Sequence, residues 1–135
     1  MNQKQVVAAH ALIKNRKGEF LVIRRSKKND WQPGVYDIPG GTIEFGEEPE
    51  KALLREVLEE TGLLVKIIKP IYIFAYLSNP GRHQFQIVYE CDYEGGSVKL
   101  NPEEHDDHKW VDLEGIKKIK KIAFLKGLVE NVLLK

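Results

Sequence analysis

The segment Pro49–Thr61 constrains the fold more than any other part of this 135-residue chain, because both of its ends carry helix-boundary residues. Proline suits the first position of a helix, and Gly62 suits the residue that ends one. Glu47, Glu48 and Glu50 lie where the helix dipole is positive and favours negative charge. On a wheel of about 100° per residue, one face is apolar. Its members are Leu53, Leu54, Val57 and Leu58.

Three carboxylates lie beside this apolar face, those of Glu56, Glu59 and Glu60. Like charges three or four residues apart repel each other on a helix, so the cluster requires open solvent or a cation. Ala52 falls within the acidic arc, and we expect its small side chain to leave room for a bound ion. Carboxylate donors favour Mg²⁺, with Mn²⁺ as an alternative, and magnesium is commonly shared with substrate phosphates. A solvated acidic face, with Arg55 as a local partner of Glu59, is the alternative interpretation.

Strands are predicted on both sides of this helix. Apolar and alternating patterns predict them at residues 6–13, 20–24, 65–77, 83–93 and 110–111, with 35–38 and 98–100 as short further candidates. A second helix is predicted over residues 113–134, broken near Gly127 or earlier. This order predicts an α+β fold, with a mixed sheet between helices, in a single domain over residues 1–135.

Composition narrows the range of partners. The chain is 42% apolar and 30% charged, and it contains no apolar stretch of the roughly 20 residues that span a membrane. Its start lacks the apolar core of a signal peptide, so we expect a cytoplasmic protein with no membrane partner. A net charge of +1 gives no reason to expect a nucleic-acid polymer as a partner. The single cysteine, Cys91, lies in a strand-like alternation and is expected to be a buried thiol.

The stretch from residue 41 to residue 63 resembles the Nudix box. Gly41 is followed after five residues by Glu47, and seven residues later by Arg55-Glu56-Val57-Leu58-Glu59-Glu60-Thr61-Gly62-Leu63. The chain is therefore similar to MutT-like Nudix hydrolases. The resemblance implies the Nudix fold and Mg²⁺-dependent hydrolysis of a nucleoside diphosphate linked to another moiety.

The same resemblance leaves the substrate open. A (deoxy)nucleoside triphosphate, cut to a monophosphate and pyrophosphate, is the leading expectation. ADP-ribose, dinucleoside polyphosphates and nucleotide sugars are the alternatives. A non-catalytic module that binds nucleotide or RNA is an alternative from another class, and a metal-free acidic interaction protein is a third. A small-molecule nucleotide is the expected partner, and a homodimer is expected because many family members are dimers.

Roles for individual residues follow from position in the motif. The expected metal ligands are Glu56, Glu59 and Glu60, with Glu47 and the Gly40 carbonyl as further candidates. Arg55 would hold the glutamates in place, and either Glu56 or the loop residue Glu104 would activate water. His105 and His108 are expected at the surface. The expected substrate-binding residues are Arg24, Arg25, Gly41 and Tyr76, with one of the two arginines facing the substrate.

Overall fold

One mixed sheet organises residues 2–135, the part of the chain described by this computed structural model. Its strands are β1 Lys4–Lys14, β2 Phe20–Arg25, β3 Tyr36–Asp37, β4 Gly40–Thr42, β5 Leu64–Asn79, β6 Arg82–Gly95 and β7 His105–Val111. The main order is β3-β2-β1-β6-β5, while β4 pairs with β1 and β7 pairs with β2. Strands β1 and β6 are parallel and the other pairs are antiparallel. The predicted α+β class and mixed sheet are confirmed.

Strand β1 has different partners along its two edges. Strand β6 pairs with its whole length, from Lys4 to Lys14. On the opposite edge, β2 pairs only at the hairpin end, where Lys14 is opposite Phe20. Strand β4 occupies the remaining edge, with Gly40 opposite His10. The divergence of β2 from β1 therefore brings the glycine turn before the first helix against the middle of the sheet.

Helix α1 has the predicted bounds, Pro49–Thr61. Gly62 has a φ of 76°, a left-handed conformation that glycine adopts without strain, and its N–H donates to the Leu58 carbonyl. The helix packs on one face of the sheet, where Leu53 and Val57 join a buried cluster. The terminal signals of the sequence therefore determine where this helix begins and ends.

The buried face of α1 differs from the predicted one. Leu54 and Leu58 are 44% and 51% exposed, whereas Ala52 is fully buried. The buried stripe thus runs through Ala52, Leu53 and Val57, and on the helical wheel it includes Glu56 and Glu60. The prediction that Ala52 leaves room for a bound ion is wrong, because its small side chain is buried against the elements that pack on the helix. The rotation turns two glutamates toward the sheet.

The C-terminal segment covers the opposite face of the sheet. Helix α2 spans Leu113–Lys118, helix α3 spans Ala123–Leu128, and a π-helical turn spans Val129–Leu133. The predicted break lies at residues 119–122, before Gly127. Here the Tyr36 N–H donates to the Lys120 carbonyl at 2.9 Å, and the Ile122 N–H donates to the Tyr36 carbonyl at 3.0 Å. Two main-chain bonds therefore attach this segment to β3.

One of the candidate strands is not formed. Residues 98–100 pair with no strand of the described chain. Instead, the Lys99 N–H donates to the Thr61 carbonyl at 2.8 Å, while Val98 and Leu100 pack against the cluster under α1. The segment thus provides a hydrogen bond to a carbonyl at the end of the helix instead of adding a strand to the sheet.

Two smaller expectations concern burial and membrane spans. Cys91 is fully buried, as expected. Within residues 2–135, no helix has the length and apolar character needed to cross a membrane.

Candidate active site

Arg55 links the start of helix α1 to its acidic face. Its Nε lies 2.8 Å from one Glu47 oxygen and its Nη2 lies 2.9 Å from the other. Its Nη1 donates to Glu56 at 2.9 Å and approaches Glu59 at 3.5 Å. The guanidinium lowers the pKa of Glu47 to about 2, so this carboxyl is ionised at neutral pH. Bidentate pairing of this kind fixes orientation as well as charge.

Both oxygens of Glu47 therefore have partners within the protein. One of them also accepts the Glu44 N–H at 3.0 Å. This geometry makes Glu47 a residue that positions Arg55. Its predicted contact with a metal remains a prediction.

Glu56 lies directly against the glycine turn. A Cβ added to Gly41 would lie 2.5 Å from the Glu56 carboxyl carbon, so only glycine fits there without displacing the carboxylate. Burial raises the pKa of Glu56, and the bond from Arg55 opposes this shift. The turn and the helix are thus in contact at the carboxylate that the sequence analysis names as a ligand or base.

Glu60 is the most buried carboxylate of the cluster. It accepts the Gly40 N–H at 2.8 Å. Burial, together with the nearby charges of Asp37, Glu56 and Glu104, raises its pKa to about 8. Within residues 2–135, no lysine, arginine or histidine forms an ion pair with Glu60. Without an added cation, such a carboxylate therefore stays largely protonated at neutral pH.

Glu104 and His105, at the start of β7, reach the same place. One ligand atom from each of Glu60, Glu104 and His105 lies within 4.8 Å of the others. The expectation of a surface position is wrong for His105, which is only 6% exposed, but His108 is exposed. His105 pairs with Arg25 at the irregular end of β2, and this register turns its side chain inward. The sequence alone did not indicate that register.

The donor set fits a divalent cation. Carboxylates suit Mg²⁺ and Mn²⁺, and the imidazole of His105 adds a nitrogen donor that transition ions accept. Glu59 is more open, with a side chain 60% exposed. Glu60, Glu104 and His105 are therefore close enough together to hold a metal, while the metal contacts expected of Glu56 and Glu59 remain predictions.

A cavity of about 370 Å³ opens on the other side of the glycine turn. Gly41, Arg25 and Tyr76, three of the predicted substrate-binding residues, line it. Arg24 does not; its Nε is paired with Asp106 at 2.7 Å. Gly41 therefore borders both the cavity and the Glu56 carboxylate.

Four further lining residues were not singled out from the sequence: His10, Trp31, Asp37 and Gln86. Arg25 lies over the Trp31 ring, 5.2 Å from its centre, and donates to the Trp31 carbonyl at 3.0 Å. Burial raises the pKa of Asp37 to about 7. A polar residue that interrupts an apolar strand, such as His10 between Ala9 and Ala11, was the available signal.

Known proteins are similar to this chain in sequence and in fold. An ADP-ribose pyrophosphatase of Methanocaldococcus jannaschii is 34% identical over 78% of this chain and 60% of its own length. An NAD-capped RNA hydrolase NudC of Stutzerimonas stutzeri is 35% identical over 74% of this chain. The crystal structure of a MutT protein from Methanosarcina mazei Go1 superposes with a TM-score of 0.84 at 30% identity, covering 96% of this chain and 94% of that one.

The matched region is shorter than the two curated relatives, since it spans 60% of the pyrophosphatase and 34% of the RNA hydrolase. The family model of the NUDIX domain, in contrast, matches residues 4–132. This range includes the glycine turn, the acidic helix and β7. The chain therefore belongs to the NUDIX domain family, as its 41–63 motif predicts.

Proposed function

We propose that this chain hydrolyses the phosphoanhydride bond of a nucleoside diphosphate derivative with the help of a divalent metal. One observation carries the proposal: Gly41 separates a nucleoside-sized cavity from the carboxylate cluster. A nucleoside in the cavity would direct its phosphates across the glycine turn, where glycine lets a ligand approach the backbone closely.

The bound metal would neutralise phosphate charge and activate water. Water adds its oxygen to one phosphorus, the bridging oxygen leaves with the other phosphate, and a carboxylate takes the released proton. Glu56 and Glu104 are the two candidates for that base. Arg55, held by Glu47, keeps Glu56 in position.

A (deoxy)nucleoside triphosphate is the proposed substrate, cut to the monophosphate and pyrophosphate. The cavity volume of about 370 Å³ suits one nucleoside. ADP-ribose is the second candidate, because the 34% identical relative is named an ADP-ribose pyrophosphatase. NAD belongs in the same test because another relative is named an NAD-capped RNA hydrolase. A homodimer remains a prediction.

The test is a substrate screen with Mg²⁺ and with Mn²⁺, in which the products are separated by chromatography. Nucleoside triphosphates, ADP-ribose, dinucleoside polyphosphates, nucleotide sugars and NAD form the panel. Release of a monophosphate and pyrophosphate from a triphosphate, lost in Glu59→Gln, would support the proposal. Nucleotide binding without any product from the panel would favour the non-catalytic alternative.

A further inference from the structure

Two buried polar atoms, which belong to side chains that line the cavity, have no hydrogen-bond partner. They are His10 Nδ1 on β1 and Gln86 Oε1 on β6, in side chains 7% and 8% exposed. Both residues line the cavity beside Gly41. Unpaired buried polar atoms are uncommon in folded proteins and are costly unless a ligand or water satisfies them.

Neither a flipped Gln86 amide nor the other tautomer of His10 would give every buried polar atom a partner. Neither the imidazole nor the Gln86 amide takes part in a side-chain hydrogen bond with any of residues 2–135. Rotating the amide, or moving the imidazole proton to the other nitrogen, therefore exchanges one unpaired atom for another.

The His10 ring is nevertheless held firmly. It lies 4.6 Å from the Phe124 ring, and a Cβ added to Gly40 would lie 2.7 Å from its Cδ2. Burial lowers the pKa of His10 to about 4, so the ring is neutral at pH 7. A neutral group fixed in this way can donate or accept a hydrogen bond but offers no charge to a phosphate.

The other residues that line the cavity are of different chemical kinds. Arg25 and Arg82 supply positive charge and Asp37 supplies a buried carboxyl. Trp31, Tyr76 and Phe124 supply aromatic faces. Neutral polar atoms between aromatic walls suit a planar ring with donors and acceptors on its edge. Phosphates are better matched by the arginines and by a metal at the carboxylates.

We infer that His10 and Gln86 determine specificity by hydrogen-bonding the base of the nucleotide, an inference that rests on the proposed function. The base lies between the aromatic walls, and its edge meets the polar side chains of His10 and Gln86. A site that hydrogen-bonds its ligand discriminates against analogues that lack the matching group.

Calorimetry with AMP, GMP, CMP and UMP in the presence of Mg²⁺ tests this inference, with ribose 5-phosphate as the probe that lacks a base. The wild type should bind at least one monophosphate about 10-fold more tightly than ribose 5-phosphate. Gln86→Met and His10→Phe should each remove about 10-fold from that affinity and leave ribose 5-phosphate unaffected. Gln5→Met, an exposed change on β1 outside this cavity, is the matched control and should alter neither value.

Melting temperature provides a readout that a structural role would move the other way. Replacing an unpaired buried polar group by an apolar group of similar shape should raise the melting temperature in both variants. Unchanged affinity in both variants, equal binding of ribose 5-phosphate, or a lower melting temperature in both would overturn the inference. Hydrolysis is measured separately: base-independent turnover of a diphosphate would refute base recognition while leaving the proposed function intact.

Discussion

On the α1 face of the sheet, charged groups are crowded together or paired, whereas the cavity on the α3 face contains two neutral buried side chains, each with an unpaired polar atom. Arg55 holds Glu47 and Glu56 by short bonds, and Glu60 lies among three other acids. Across Gly41, His10 and Gln86 have no partner. The difference is consistent with the proposed placement of a cation and phosphates on one face and of the base on the other.

The largest effect should come from the acidic face. Glu60→Gln is expected to lower kcat/KM on the order of 10³-fold, because it removes from the cluster a carboxylate that would bind the metal. Glu50→Gln, an exposed change on the same helix, should stay within about 2-fold of the wild type. Steady-state kinetics with Mg²⁺ compare the two. Equal losses would mean that overall charge, and not position, matters on this face.

The boundary between the faces is tested by Gly41→Ala. The added Cβ would lie 2.5 Å from the Glu56 carboxyl carbon, so the carboxylate must move. We expect kcat/KM to fall about 100-fold, as displacements of about 1 Å at reacting groups can do. Gly95→Ala is the matched control, because a Cβ there meets nothing within 4 Å. Full activity in Gly41→Ala would show that the two faces are not coupled at this residue.

Ionisation of Glu60 should also make the free energy of unfolding depend on pH when no metal is present. Its pKa is raised from 4.5 to about 8 in the folded chain, so the unfolded state releases this proton at lower pH. In EDTA, the free energy of unfolding of the wild type should therefore fall as pH rises from about 4.5 to 8, relative to Glu60→Gln. We expect a difference of about 2 kcal/mol in chemical denaturation, since relaxation of buried charges reduces the full linkage value.

Added Mg²⁺ should restore stability to the wild type more at pH 8 than at pH 5.5, because metal ligands bind deprotonated. The acids facing Glu60 are Asp37, Glu56 and Glu104, and all of them remain in the variant. If the free energy of unfolding of the wild type and of Glu60→Gln changed in parallel with pH, Glu60 would not be a carboxylate whose charge lacks a partner in the folded chain.

The smallest effect concerns the two neighbouring arginines of β2. Arg25→Gln should raise KM about 10-fold, because Arg25 lines the cavity and lies over Trp31. Arg24→Gln should change KM less than about 2-fold, since it loses a partly exposed pair with Asp106. Initial-rate kinetics separate the two variants. A reversed order would place the substrate on the other side of β2.

The elements predicted well are those whose signals are local. Pro49 and Gly62 mark the ends of α1, and each long strand carries its own alternation. The rotation of α1 is not local, because the sheet determines which side of the helix it covers, and this buries Ala52 and exposes Leu58. Residues 98–100 have strand-like composition but find a partner in the helix end.

The candidate site divides in the same way. Three of its carboxylates, those of Glu56, Glu59 and Glu60, follow a fixed spacing along one helix, so the sequence alone predicts that they lie together. His10 and Gln86 lie on different strands that meet only in the folded sheet. Gln86 continues the polar alternation of Gln84 in the sequence, so nothing local marks it as special. His105 depends on a register shift next to Arg25, which no local pattern predicts.

The attachment of the C-terminal segment to β3 has a consequence for how such a site can change. Both bonds between Tyr36 and residues 120 and 122 join main-chain atoms, so they persist whatever side chains the segment carries. The same segment brings Phe124 and Ile122 to the cavity wall. Ligand preference can therefore be altered by exchanging side chains in a short stretch near the end of the chain, while the acidic helix and its chemistry stay as they are.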